Sequence, residues 1–496
     1  METRTTHVAH RKLNVLDRLI ERRELPVVSA PGPSELAQAL VRHVRGEVRF
    51  DDGSRALYAT DASNYRQVPI GVVVPRDTRD AAVTMEICRQ FRVPIVSRGA
   101  GTSLAGQTCN TAVVLDFSKY VHEILEIDPE RRFARVQPGV VLDELRARAE
   151  NFGLTFGPDP ATHRHCTLGG MIGNNSCGVH SIMAGCTAEN VEELEILTYD
   201  GAHLTVGATS EAELDSITAQ GGRRADIYRR VRALRDRHAQ AIRHGFPDIP
   251  RRVSGYNLPA LLPENGTHLA RALVGSEGTL VTVLSAKLRL VPSPPERILV
   301  VLGYPSVFDA ADHIMEVRES GPVGLEGLDD VLVDGVKKKK IHPAQLHLLP
   351  DGCGWLLVEL GGDTPEEAHE KAQALVARLG RSKDPPAMKI FEDPAAAQII
   401  WNVRESGLGS TARIPGEPDT WEGWEDSAVA PERLGSYLRG FRSLLDRYGY
   451  RAALYGHFGQ GCVHTRIPFD LRSRDGVADF RSFVEEAADL VRSHGG

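Results

Sequence analysis

The 496-residue sequence predicts an α+β chain of two successive parts, each with its own core. Three observations carry that reading. From Val68 onward short β-branched runs at 71–74, 94–96 and 112–115 alternate with a helical pattern at 80–91. Three glycine-rich segments follow in order, around residues 97–107, 156–178 and 273–280. Near Ser293-Pro294-Pro295 the composition breaks and a second order begins: strand 298–303, helix 307–319, strands 323–328 and 355–360, helix 364–379. A hydrophobic content of 42% leaves ample material for two cores.

Taken in order, residues 1–66 form an N-terminal segment, charged and helical in pattern to about residue 50, with Ser34 placed to cap a helix over 34–44. Residues 67–292 form the first large domain. Within it Asp200-Gly201, between apolar runs 194–199 and 202–206, predicts a two-residue hairpin. The Arg-rich stretch 226–244 reads as a solvated helix in an insertion spanning 225–258. Residues 293–496 form the second domain. Lys337 to Lys340 is a charge run, read as a solvated face or as a dock for an acidic partner.

The net charge of −7 argues against nucleic acid. No apolar run approaches the twenty or so residues of a membrane span, and the first thirteen residues lack a secretory core, which together predict a cytoplasmic protein. Seven cysteines, scattered and never in a Cys-x-x-Cys pair, predict neither a disulfide framework nor a cluster.

The first glycine segment, Arg98-Gly99-Ala100-Gly101-Thr102-Ser103, follows a strand end, where converging amides can cradle a phosphate. It fails the dinucleotide fingerprint, because Leu104 stands at the third glycine. It fails the phosphate-loop pattern too, because Gln107 replaces the lysine, which argues against a nucleotide hydrolase. With Thr167-Leu168-Gly169-Gly170 and Gly275-Ser276-Glu277-Gly278-Thr279, however, the chain resembles the FAD-binding (PCMH-type) domain of the vanillyl-alcohol oxidase / p-cresol methylhydroxylase family over residues 69–292. The resemblance implies that the amides of Arg98, Gly99, Ala100, Gly101, Thr102 and Ser103 hold the FAD pyrophosphate, with Gln107 and Asp116 as neighbours. It implies that Pro158, Asp159, Leu168, Gly169, Gly170, Ser176 and Gly178 line the flavin. Glu277, Gly278 and Thr279 would complete the adenine and ribose side, Glu277 being equally readable as a structural acceptor. Ala100 stands where covalent members carry His or Cys, so the FAD is expected to be non-covalent. The second domain resembles the family's ferredoxin-like cap, which implies a substrate pocket between the two domains.

The likeness narrows to FAD-linked D-lactate and D-2-hydroxyglutarate dehydrogenases through Tyr455-Gly456-His457-Phe458-Gly459-Gln460-Gly461-Cys462-Val463-His464. His457 and His464, seven apart across a glycine turn, are readable as surface histidines or as a metal pair; the resemblance implies Zn or Mn. Such an ion would lower the pKa of a substrate hydroxyl. Arg404 is the expected carboxylate clamp and Arg466 a second candidate, against surface ion pairing. Trp401-Asn402-Val403-Arg404-Glu405 and Gly423-Trp424-Glu425-Asp426-Ser427-Ala428-Val429 resemble long bacterial members fused to an iron–sulfur domain, which this chain lacks. Two departures leave the substrate open: Gln460-Gly461-Cys462 replaces Asp-Gly-Asn, and Trp424 stands at a substrate-binding Lys. The family's third metal ligand comes from a Gly-Glu-His-Gly segment, whereas this sequence ends at Ser493-His494-Gly495-Gly496, so a truncated or split form is expected. The expected activity is oxidation of a D-2-hydroxy acid by hydride transfer to flavin N5. Its electrons would pass to a quinone, a cytochrome, an electron-transfer flavoprotein or an iron–sulfur domain. The competing reading is an incomplete FAD-binding subunit that requires a second chain.

Overall fold

The computed structural model describes residues 33–340, 343–422 and 424–496. The helical expectation for residues 1–32 lies outside them, as does Gly423. The first described helix is Pro33–His43. Ser34 therefore sits inside its first turn and is not its cap; the start falls at Pro33, whose ring presets φ and which has no N–H to leave unpaired.

The first sheet contains β1 (Glu47–Arg49), β2 (Gly71–Val74), β3 (Ile95–Arg98) and β4 (Val113–Asp116) in the order β1-β2-β4-β3. β4 runs parallel to both β2 and β3, and β1 antiparallel to β2. The helix Thr78–Gln90, capped by Asp77 accepting from the Asp80 amide, supplies the crossover from β2 to β3. Every residue of β2 and β4 is buried, as befits β-branched strands covered on both faces.

The second sheet is antiparallel. After β5 (Ile124–Asp128), β6 (Phe133–Val136) and a short β7 (Leu154–Thr155) come β8 (Val191–Leu197), β9 (His203–Val206) and β10 (Thr282–Arg289), in the order β5-β6-β10-β8-β9. β7 pairs separately with β11 (Val291–Pro292). The Asp200-Gly201 hairpin exists, but with a longer turn. The Gly201 amide donates to the Thr198 carbonyl, so Tyr199 and Asp200 are the central turn residues and Gly201, at φ +90°, takes the left-handed position after them. The Arg-rich helix, Gly222–Gly245, is not simply solvated: Ala225, Tyr228, Arg235 and Ile242 are buried, and Arg235 pairs with Glu211 and Asp236.

Beyond residue 293 a second architecture begins. β12 (Glu296–Tyr304), β13 (Gly324–Asp329), β14 (Gly354–Gly362) and β15 (Ala387–Phe391) form an antiparallel sheet in the order β13-β14-β12-β15, the ferredoxin-like connectivity. The predicted helix over 307–319 is two pieces, Val307–Asp312 and Ile314–Arg318, and Pro365–Leu379 is capped by Thr364. Val300, Leu302, Leu356 and Val358 join Tyr437, Phe441 and Phe483 of two later helices, Leu434–Arg447 and Arg474–Ser493, in one buried cluster. Within the lysine run, Lys338 pairs with Glu417 and Lys339 donates to the Gly409 carbonyl, so these two charges fasten a neighbouring loop. Among the described residues no helix is long and apolar enough to cross a membrane.

Candidate functional site

Two regions of unspent polar capacity stand out. The first is a cleft lined by Arg98, Gly99 and Gln107, by Thr167, Gly169 and Gly170, and by Glu277 and Gly278, so that all three glycine segments meet there. Among the described residues none of the amides from Gly99 to Thr108 has an intramolecular acceptor, which is how a loop built around an anionic ligand looks. Gly99 is required by proximity, since a Cβ there would lie 2.0 Å from Thr167 Oγ1, the cap of the helix Leu168–Asn174. Gly101 and Gly106 are left-handed, and so is Glu277 at φ +52°.

Not every expected residue lines this cleft with its side chain. Leu168 points into the core with Val140 and Met171, and its amide donates to the Val140 carbonyl. Gly169 donates to Pro138 and Gly170 to Thr167 Oγ1, so the first amides of that helix are consumed and the free donors lie in the first loop. The Arg98 guanidinium turns to the Thr60 carbonyl and the Tyr58 ring. Ser103 bonds Gln107, which also reaches Glu277 at 3.4 Å. Thr279 bonds Tyr256, and Asp116 serves as a structural acceptor for Tyr58 and Ser118.

The second region gathers His457, His464, Arg404 and Arg466 from distant parts of the chain. Tyr455 bridges to His464, and β17 (Cys462–Val463) pairs with β16 (Ser427–Ala428), which draws the Glu425-Asp426 pair beneath the histidine loop. The imidazoles stand edge to face with centroids 4.9 Å apart. Each turns its Nδ1 to a carboxylate: His457 to Glu326 at 2.7 Å, His464 to Glu425 at 3.0 Å. Glu326 also holds Arg404 at 2.5 Å, and Arg466 pairs with Glu422. Burial, and then the charge of Arg251, push the His457 pKa well down, so its imidazole is neutral with a free Nε2 when Nδ1–H donates to Glu326. Burial raises Glu326 and Glu425, whereas for Asp426 burial is outweighed by His464 and Arg251, which bring it down to about 2.

Five buried side-chain polar atoms without a hydrogen-bond partner among the described residues belong here, Arg251 Nε, Arg404 Nε, Glu425 Oε1, Thr465 Oγ1 and Arg466 Nε, while Glu326 Oε2 is taken up by Arg404. Buried polar groups are normally satisfied, so this concentration marks a place built for a ligand. As a metal site, the two imidazoles with their Nδ1 atoms fixed by carboxylates have the outer-shell arrangement of metal-binding histidines. No group of three His, Cys, Asp or Glu able to hold an ion occurs among the described residues.

The two regions are joined by residues 177–186. Gly178 packs on Asp159 so closely that a Cβ would sit 2.1 Å from the Asp159 backbone. His180 pairs with Asp159 on one side and with Glu359 of β14, at 2.7 Å, on the other. Ser181 accepts from Gln460 of the histidine loop at 3.0 Å. Sequence reasoning passed over Glu326, His180, Glu359 and Arg251. A charged residue inside the wholly buried strand Gly324–Asp329 was a legible signal for Glu326; Arg251 offered none.

The family model described as "FAD binding domain" matches residues 69–207, and "FAD linked oxidases, C-terminal domain" matches 293–496. A D-2-hydroxyglutarate dehydrogenase of Pseudomonas putida is 32% identical over 91% of this chain and 46% of its own length. A glycolate oxidase subunit GlcD of Bacillus subtilis is 30% identical over 90% of this chain and 84% of its own. This chain spans about half the length of the D-2-hydroxyglutarate dehydrogenases it matches. Among solved structures, an alkyldihydroxyacetonephosphate synthase superposes with TM-score 0.65 at 14% identity, over 95% of this chain and 83% of that one. A 4-ethylphenol oxidase from Gulosibacter chungangensis gives 0.62 at 15%, over 93% and 88%, and these two likenesses concern the fold.

Proposed function

The chain belongs to the FAD-linked oxidases, and from that premise we propose that it oxidises a D-2-hydroxy acid of the D-lactate or D-2-hydroxyglutarate type to the 2-oxo acid. The observation that carries this reading is the concentration of unsatisfied buried groups around His457, His464 and Arg404, beside the strap that leads back to Asp159 and Gly178. Bound FAD supplies the acceptor for a hydride from substrate C2. The run of unengaged amides after Arg98 fits its pyrophosphate, with Glu277 and Gly278 on the opposite wall of the cleft.

In this reading Arg404 anchors the substrate carboxylate through the guanidinium edge that Glu326 leaves open, and Arg466 lies across the site as a second cation. His457 and His464, with Nδ1 fixed by Glu326 and Glu425, would offer their Nε2 lone pairs to a divalent ion of the Zn or Mn class, which would lower the pKa of a substrate hydroxyl. Electrons leave to a separate acceptor, a quinone, a cytochrome, an electron-transfer flavoprotein or an iron–sulfur domain. One observation favours a second reading, an FAD-binding subunit completed by another polypeptide: the described residues offer two histidines but no three-donor metal group.

The test is the visible spectrum of the FAD-loaded chain, with D-lactate and D-2-hydroxyglutarate added separately without oxygen. Bleaching of the flavin bands by either acid supports the oxidation. Bound flavin that neither acid bleaches favours the incomplete subunit, and a chain unable to take up FAD overturns both.

A further inference from the structure

Arg251 follows the helix Gly222–Gly245 and reaches the histidine loop from the first half of the chain. Its side chain is 4% exposed. Nη1 donates to Gln460 Oε1 at 3.2 Å, and the Gln460 amide is itself fixed, since its Nε2 donates to the Ser181 carbonyl. That contact sets the plane of the guanidinium and leaves one edge uncommitted. Nε has no acceptor, and Nη2 has Asp426 Oδ1 only at 3.9 Å, beyond hydrogen-bond reach. Cys177, Cys186 and Cys462 also lie around it, and thiol sulfur is a weak acceptor.

The other two buried arginines of the site are committed, Arg404 to Glu326 and Arg466 to Glu422. The ion pair with Asp426, at 3.9 Å, spends none of the N–H donors on that side, and an anion placed on the Nε and Nη2 edge would meet two parallel N–H donors. Arg251 borders the same site as Arg404: Asp426 Oδ1 lies 3.9 Å from Arg251 Nη2 and 3.3 Å from His464 Nδ1, and the His464 and His457 rings are in contact, with His457 sharing Glu326 with Arg404.

We propose that Arg251 binds a second carboxylate of the substrate, so that the site selects a 2-hydroxydicarboxylate over a monocarboxylate such as lactate. This rests on the D-2-hydroxy-acid reading above, with Arg404 holding the carboxylate next to the hydroxyl.

The test is calorimetric titration of the FAD-loaded full chain with D-2-hydroxyglutarate, with glutarate, which keeps both carboxylates and lacks the hydroxyl, and with D-lactate. The wild type should bind both dicarboxylates at least 10-fold more tightly than D-lactate. Arg251→Met should weaken the dicarboxylates at least 10-fold more than D-lactate, and Arg251→Lys, a point charge at the same place, should recover part of the difference. FAD content and melting temperature show whether Arg251→Met is folded; if it is not, the dicarboxylate preference of Arg251→Lys decides. A folded Arg251→Met chain with an unchanged ratio of affinities overturns the role of Arg251, and leaves the oxidation standing if either hydroxy acid still bleaches the wild-type flavin. A wild-type chain that binds and is reduced by no hydroxy acid overturns both.

Discussion

Glu326 shows how much of the site depends on one side chain. Fully buried on β13, it accepts from His457 through Oε1 and holds Arg404 through Oε2. Glu326→Gln keeps an acceptor for the His457 Nδ1–H but removes the charge that orients Arg404. Loss of an outer-shell carboxylate costs about 10- to 100-fold in metal affinity, so, if the histidine pair seats a divalent ion, zinc added to this variant should be lost to a chelator that much more readily than zinc added to the wild type. Breaking a buried ion pair costs about 3–5 kcal/mol, which denaturant melts should register as lower stability. Metal bound as tightly as in the wild type would remove the histidine pair as its seat. At this scale His457, His464 and Arg404 were reached through the family resemblance of segments 455–464 and 401–405, the two histidines also by their spacing across a glycine turn. Arg251 was not, because it lies in the insertion 225–258, whose arginines read as solvated, and only the tertiary fold buries it against the histidine loop.

Among the elements, the helix Leu168–Asn174 supplies a test. Its N-terminus lies at the cleft, yet Leu168, Gly169 and Gly170 spend their amides on Val140, Pro138 and Thr167. The helix therefore serves as a wall, and the flexible-looking loop before it carries the donors. Gly99 touches that wall through Thr167 Oγ1. Gly99→Ala must push the loop away from Thr167, because the clash is with a capping side chain close to the backbone. The chain should lose FAD on gel filtration while its circular dichroism stays that of the wild type. Thr167→Ala opens the same contact without a clash and costs about 1 kcal/mol of stability for the lost cap, with FAD retained. If both variants retain FAD equally, the first loop is not its phosphate cradle. Strands and helices with strong periodicity were legible to within a few residues, whereas the edge strand Ala387–Phe391 was passed over and the order of the second sheet rested on the family resemblance. The Asp200-Gly201 turn was misjudged because the same dipeptide suits two turn geometries, and the choice rests on where the β8–β9 ladder ends.

Across the whole molecule, the two halves meet through a buried charge array invisible in the sequence, since its members lie far apart along the chain. His180 contacts Asp159 from the first half and Glu359 from the second, with Arg297 3.0 Å from its Nε2 and Arg146 3.9 Å from Asp159. Burial opposes a charge on the imidazole, but the Asp159 and Glu359 carboxylates outweigh it and raise His180 to about 10. The charged imidazole in turn outweighs burial at Asp159 and Glu359 and holds both carboxyls down. Because the folded pKa of His180 lies above its ordinary 6.5, its contribution to stability is fully present below about pH 6.5 and is lost as pH rises through about 10. The two carboxylates contribute above their unfolded pKa values and lose that contribution as pH falls through their lowered folded ones. Stability measured by urea titration should therefore fall between pH 7 and 10, at up to about 1.4 kcal/mol per pH unit for the one proton. His180→Gln should lower stability at pH 7 and flatten that alkaline slope. Wild-type and variant curves of equal slope would mean that His180 is neutral in the fold. The segment that carries His180 also carries Ser181, the acceptor for Gln460 of the histidine loop. If the array aligns the site, His180→Gln should slow flavin reduction by the hydroxy acid at pH 7 without loss of bound FAD, and the rate of the wild type should fall along the same alkaline limb as its stability.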